Sequence, residues 1–187
     1  MSKQSNSNRL TRREFIKGAV VGAAGVALLG TKAFADATLQ ANKEKLYGLL
    51  VSDKAFKDFT VRLKFKCLTG DSGFYIRTTI EPPEKAHGLQ IQVGPPDTGS
   101  GGIYESYGRA WLVKPTADEE KAFLKPDDWN DMTIAAHGGH VVVHVNGTKS
   151  AEIKDDPGPI EGHFALQMHS GRVMEVRFKD IAIQEGP

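Results

Sequence analysis

Five side chains able to hold a sugar or move a proton sit at alternate positions of separate runs in this chain: Arg77, Gln90, Gln92, Gln167 and His169. Residues two apart in an extended strand project from one face, so Gln90 with Gln92, and Gln167 with His169, each share a side of their sheet. The long segment from Gly94 to Asp128 adds Glu105 and the aromatics Tyr104, Tyr107 and Trp111. Carboxamides exchange hydrogen bonds with hydroxyl groups, and aromatic faces stack on the apolar side of a pyranose ring. A sheet face lined by amides, a guanidinium and an imidazole and rimmed by aromatics therefore suits a carbohydrate. Each group also has a plainer role open to it. Arg77 can pair with a carboxylate on a solvated face, and Gln90 and Gln92 can be ordinary outward strand positions. His87 and His169 can be surface or hydrogen-bonded structural histidines.

No nucleophile motif, phosphate loop or cysteine-based metal site occurs between Asp36 and Pro187. His137, His140 and His144 gather near one hairpin, with His140 and His144 on the same side. No carboxylate or further histidine is spaced to complete a metal site there. No cofactor is expected, and a divalent metal stays open as an alternative. Cys67 is the only cysteine, so an internal disulfide cannot form. Its place at the end of an apolar alternation marks it as a buried structural thiol. Trp129, in Asp128-Trp129-Asn130, reads as a packing residue.

The elements that must position these groups are strands. Phe59, Val61, Leu63, Phe65 and Cys67 alternate with Thr60, Arg62, Lys64 and Lys66, the period of a half-buried strand. Gly70-Asp71-Ser72-Gly73 turns the chain into a second strand from Phe74 to Thr79, which Pro82-Pro83 ends, and Gly88 to Val93 is a third. Met132 to Ala136, His140 to Val145 and Thr148 to Ile153 form an antiparallel meander, joined by the hairpin dipeptides Gly138-Gly139 and Asn146-Gly147. His163 to His169 and Val173 to Gln184 close the pattern, and the one helical stretch is Ala117 to Leu124. Many short strands with little helix predict an all-β fold, an antiparallel β-sandwich or jelly roll. Gly94 to Asp128 reads as a long functional loop.

Ahead of the strands, Thr11-Arg12-Arg13-Glu14-Phe15-Ile16-Lys17 leads into the apolar run Gly18 to Gly30 and then Ala33-Phe34-Ala35. That order of basic pair, short apolar stretch and small-residue cleavage site reads as a twin-arginine signal peptide, a helix cleaved after residue 35. The run falls short of the roughly 20 residues a membrane span needs. The expected organisation is residues 1–35 as signal and 36–187 as one domain, periplasmic or secreted, with no membrane contact after cleavage. Of the 24 basic residues, Lys3, Arg9, Arg12, Arg13, Lys17 and Lys32 leave with the signal, so the remainder is mildly acidic. No basic tract remains to track a phosphate backbone, which argues against nucleic acid as a partner.

The chain carries in order the blocks Asp58 to Phe65, Ser72 to Thr78, Gly88 to Val93, Gly101-Gly102-Ile103-Tyr104, Trp129 to Met132, Val145-Asn146-Gly147 and Phe164 to Gly171 ending in Val176 to Ile181. That order of blocks resembles the 3-keto-disaccharide hydrolase domain family. The resemblance covers about Leu50 to Glu185 and implies a concanavalin A-like jelly roll acting on glycosides already oxidised at carbon 3. This chain has Gln90 where the family pattern usually has Glu, and no acidic residue near Met168. Only Asp36 to Leu50 precede the first block, leaving the family's opening segment abbreviated and its edge strand missing or otherwise supplied.

A ketone at carbon 3 acidifies the proton on carbon 2, so a modest base can start a β-elimination that expels the glycosidic oxygen, with water adding back. On that chemistry His169 would be base or acid, Arg77 the enolate stabiliser and Glu105 the second proton-transfer group. Gln90, Gln92, Gln167, Tyr104, Trp111 and His87 would bind the sugar. A sugar 3-oxidoreductase in the same pathway would supply the ketone. The competing functions are a noncatalytic carbohydrate-binding jelly-roll module and an assembly protein that buries the sheet face against a partner.

Overall fold

The computed structural model describes residues 9–10, 31–34, 37–42, 48–81 and 85–186. The expected signal helix, with Arg12, Arg13 and the apolar run, lies outside them. In chain order the strands are β1 (Arg9–Leu10), β2 (Thr31–Phe34), β3 (Ala37–Asn42), β4 (Gly48–Phe56), β5 (Phe59–Thr69), β6 (Ser72–Glu81) and β7 (Lys85–Val93). They continue with β8 (Ile103–Ser106), β9 (Ala110–Val113), the helix α1 (Ala117–Phe123), β10 (Asn130–His137), β11 (His140–Val145), β12 (Thr148–Ile153), β13 (Gly162–Met168) and β14 (Val173–Glu185).

Two sheets result. One runs β1-β4-β13-β6-β7-β8-β9, and the other runs β12-β11-β10-β5-β14-β2 with β3 also paired to β14. Every described pairing is antiparallel except the short β1–β4 contact. This is the jelly-roll sandwich that the alternation predicts. Its core forms because alternate residues of both sheets turn inward: Phe59, Val61, Leu63 and Phe65 from β5 meet Leu89, Ile91 and Val93 from β7 and Phe74 and Ile76 from β6. Phe164 is the hub, stacked on Phe56 at 4.4 Å and set edge-on to Phe59 at 4.7 Å. Each such side chain contributes about 1.5–3 kcal/mol by leaving water.

Three expectations are corrected. The segment read as a long loop holds two strands, β8 and β9, ahead of the expected helix α1, which a capping box between Thr116 and Glu119 closes at its start. The opening segment is not short of strands, because β3 pairs with β14 and β4 lies beside β13. Strand parity also fails within β6. β6 changes register against β7 between Ile76 and Thr79, with Arg77 at φ 53, so a bulge re-aims Arg77. The backbone of Arg77 there lies so close to Gly162 that a Cβ on that glycine would collide with it. β2 includes Ala33 and Phe34 of the expected cleavage site and pairs with Ile181–Gln184. Since β1 and β2 sit at sheet edges, cleavage after residue 35 would remove both without splitting either sheet.

Candidate functional site

The sheet containing β6, β7 and β13 has a second face, turned away from the core. Its apolar part is small: Leu49, Tyr75, Ala86 and Ala165. The strand pairings lay polar groups across it in a row, because Ala165 opposes Tyr75, Tyr75 opposes Gln90, Gln90 opposes Tyr104 and Tyr104 opposes Trp111. Gly73 opposes Gln92, and its missing side chain makes room for the Gln90 side chain, which a Cβ would meet at 2.5 Å. The result is a hollow of about 450 Å³, within the range of small-molecule clefts. Gln90, Gln92, Gln167, His169, Tyr104, Tyr107 and Trp111 all line it, as expected, and so do Asp71, Tyr75 and Ser106.

The floor is a chain of neutral hydrogen bonds. Gln167 Nε2 donates to the Tyr75 hydroxyl at 3.2 Å, and the Tyr75 hydroxyl lies 2.9 Å from Ser106 Oγ. Ser106 in turn donates to Gln90 Oε1 at 3.3 Å, and Gln90 Nε2 donates to Gln92 Oε1 at 2.6 Å. Each hydroxyl has one proton, so Tyr75, which accepts from Gln167, gives its own to Ser106. All five side chains are at least nine-tenths buried, and a low local dielectric strengthens such a chain.

One corner carries charge. His169 Nδ1 donates to the Ser170 carbonyl at 2.8 Å, which leaves Nε2 as the nitrogen for proton transfer. Nε2 lies 3.9 Å from Asp71 Oδ1, while Arg172 donates to Asp71 Oδ2 at 2.9 Å. At the rim Tyr104 and Trp111 meet edge to face at 5.3 Å.

Three expected site residues stand elsewhere. Arg77 is not in the hollow: the bulge buries its guanidinium at 1 % exposure, where Nη2 donates to the Lys57 carbonyl at 3.4 Å and lies 4.0 Å from Asp58. Burial pulls its pKa below the ordinary value, opposed by Asp58 and Asp156. Glu105 turns out of the hollow and binds Arg109, accepting from Nε at 2.5 Å and from the backbone N–H at 2.7 Å. Those bonds hold its carboxyl below the usual carboxylate range, so it has no proton to give near neutrality. His87 is half-buried beside the rim, 2.9 Å from Glu81, its ring 5.2 Å from that of Tyr107. His140 pairs with Glu152 at 2.9 Å on the far sheet, and no group of three or more metal-ligating side chains occurs among the described residues.

Sequence reasoning missed Asp71, Tyr75 and Ser106. Asp71 reads as a turn residue and Tyr75 as one more apolar strand position. The parity of Tyr75, opposite to that of Phe74 and Ile76, was the available signal.

With this geometry in place, a family model for the 3-keto-alpha-glucoside-1,2-lyase-like domain matches residues 8–184. The chain belongs to that family. Membership in the 3-keto-alpha-glucoside-1,2-lyase-like family thus extends well upstream of Leu50, where the recognisable blocks begin. No curated protein matches the chain. Among solved structures, a Parabacteroides distasonis protein named provisionally as a glycosyl hydrolase is 18% identical, with TM-score 0.59 over 96% of this chain and 99% of that one. Another from the same organism, named likewise, is 21% identical, with TM-score 0.57 over 84% and 94%. The carbohydrate binding module CBM66 from Bacillus subtilis is 11% identical, with TM-score 0.55 over 83% and 96%. Identities this low establish the shared fold. The carboxamide of Gln90 serves as the fourth link of the floor chain.

Proposed function

We propose that this protein cleaves the glycosidic bond of glycosides oxidised at carbon 3, by removing the carbon 2 proton, expelling the carbon 1 oxygen and then adding water. The observation that carries the proposal is His169, fixed through Nδ1 and lining the hollow beside Asp71. Nε2 takes the proton from carbon 2. The C–H electrons form a carbon 2–carbon 3 double bond and charge the carbon 3 oxygen. That charge then returns to re-form the ketone, carbons 1 and 2 become double-bonded, and the carbon 1–oxygen bond breaks. The imidazolium gives its proton to the departing oxygen. The Asp71 carboxylate stabilises the imidazolium between the two transfers. Gln90, Gln92 and Gln167 hold the ring's hydroxyl groups, and Tyr104 and Trp111 cover its apolar side.

The twin-arginine leader supports a reaction outside the cytoplasm, and a dehydrogenating oxidoreductase acting at carbon 3 would supply the substrate. The test is to feed a 3-keto-glucoside to the protein and to His169→Ala. Release of aglycone by the first and a loss on the order of 100-fold in the second are expected. Equal rates would remove His169 from the chemistry. A noncatalytic carbohydrate-binding module is the second reading, favoured by the carboxamide at position 90 and by the likeness to CBM66. It would bind unoxidised sugars without turnover.

A further inference from the structure

The floor chain has a direction, and that direction decides what its open end can do. Gln92 Oε1 is consumed by Gln90 Nε2 at 2.6 Å. Gln90 cannot turn round without also losing the bond from Ser106 to its Oε1 at 3.3 Å. Ser106 is held in turn by Tyr75, and Tyr75 by Gln167 Nε2. A flip of the Gln92 amide alone would set N–H against N–H. Gln92 therefore faces the hollow as a donor, with its amino group as the end of the chain.

We infer that Gln92 is a catalytic residue, its carboxamide N–H donating to the carbon 3 oxygen of the sugar as negative charge gathers there, and that Gln90, Ser106, Tyr75 and Gln167 are positioning residues that fix the polarity of that donor. The inference deepens the proposed reaction and rests on it for the identity of the charged oxygen. With Arg77 buried elsewhere, elimination still needs a group to hold the enolate. A neutral donor preset in a buried site costs no reorganisation when the charge develops. Cooperative polarisation along five linked groups strengthens the last donor.

The test separates this role from general packing through the sign of an affinity ratio. The probes are a 3-keto C-glucoside, whose carbon 1 substituent is attached through carbon and cannot be eliminated, and its carbon 3 alcohol. Binding of both is measured by calorimetry on the full protein, on Gln92→Glu and on Gln90→Glu. A ketone only accepts hydrogen bonds, whereas the alcohol can also donate. Replacing the donor by a carboxylate in Gln92→Glu therefore weakens the ketone and spares the alcohol, lowering the ketone-to-alcohol affinity ratio on the order of 10-fold. Gln90→Glu leaves Gln92 untouched, but it removes the donor that Gln92 Oε1 needs, so the amide turns and the ratio falls in the same direction. Ser106→Ala lowers it less. With a 3-keto O-glucoside, Gln92→Glu lowers kcat on the order of 100-fold, more than it raises KM. An unchanged ratio in both Glu variants overturns the inference. A rise in the ratio, the sign of a chain running the other way, also overturns it, as does failure of the unsubstituted protein to bind either probe. Absence of turnover together with the expected fall in ratio would sink the proposed reaction and leave the donor role of Gln92 standing.

Discussion

His169 Nε2 stands 3.9 Å from Asp71 Oδ1, beyond hydrogen-bond length and within reach of an ion pair once the ring is charged. The other oxygen of Asp71 is already taken by Arg172 at 2.9 Å, so the carboxylate is aimed. Asp71 therefore lies beside the nitrogen that would carry the carbon 2 proton in the proposed reaction. Asp71→Asn keeps an acceptor for Arg172 and removes the charge. It is expected to lower kcat on a 3-keto-glucoside on the order of 100-fold while the thermal midpoint hardly moves. Steady-state kinetics beside a melting curve check both halves. A kcat equal to that of the unsubstituted protein would detach Asp71 from the reaction.

Arg77 gives the opposite expectation. Its Nε and Nη1 have no hydrogen-bond partner among the described residues, and its closest carboxylate, Asp58, is half exposed and accepts from Gly138 N–H at 2.8 Å. Replacing a buried charge of this kind by an apolar side chain of similar length is commonly neutral or stabilising by about 1–4 kcal/mol. Arg77→Met should accordingly retain turnover and match or exceed the parent in denaturant stability. A kcat loss on the order of 100-fold would return the enolate role to Arg77.

The different fates of these residues show what a linear pattern can reveal. Gln90, Gln92, Gln167 and His169 were legible because β7 keeps its register from Gly88 to Val93 and β13 keeps it beyond the irregularity between His163 and Ala165, so parity sends them to one face. Parity also exposes β5, β10 and β11, whose inward residues are apolar apart from Asn130 at the start of β10. Arg77 was misplaced because a register change between Ile76 and Thr79 leaves no mark in residue type. β8 and β9 escaped because four residues are too few to display a period, and Ala110 enters β9 at φ 64, a conformation its side chain does not advertise. Asp71 joins His169 only through pairing across the sheet, about a hundred residues apart in sequence.

Cys67 supplies a pH signature. Its thiol donates to the Gly70 carbonyl at 3.1 Å, and burial, reinforced by Asp71 and Asp127, pushes its pKa up to about 11. The folded state thus prefers the neutral thiol more strongly than the unfolded chain does. That contribution is fully present below the ordinary thiol range near 9, and it is lost as pH rises through about 11. Denaturation free energies measured from pH 8 to 11 should fall more steeply for the parent than for Cys67→Ala. Cys67 is half-buried rather than fully buried, and at pH 8 iodoacetamide should label the thiol more slowly in the native than in the unfolded protein. Parallel curves, or equal labelling rates, would contradict the half-buried neutral thiol.

Arg109 ties the rim of the hollow to the rest of the domain. It joins Glu105 of β8 to Asp156, donating to Asp156 Oδ1 at 2.6 Å, and the Asp156 side chain is 2% exposed. Glu105 adjoins Tyr104 in β8, and Tyr104 leans on Trp111 of β9, so this link holds the aromatic wall in place. Arg109→Ala strands a buried carboxylate and is expected to destabilise the fold by about 1–3 kcal/mol and to raise KM more than it lowers kcat. Adding Asp156→Asn removes the stranded charge, so the double variant should be no less stable than Arg109→Ala alone, a non-additivity that a double-mutant cycle reads directly. The pH dependence has a fixed sign as well. Arg109 holds Glu105 below the usual carboxylate range, so the contribution of that bond is present above about pH 4 and is lost as acid protonates Glu105. The stability gap between parent and Arg109→Ala should therefore narrow as pH falls below about 4, and a gap that widens there would rule out the ion pair as its source.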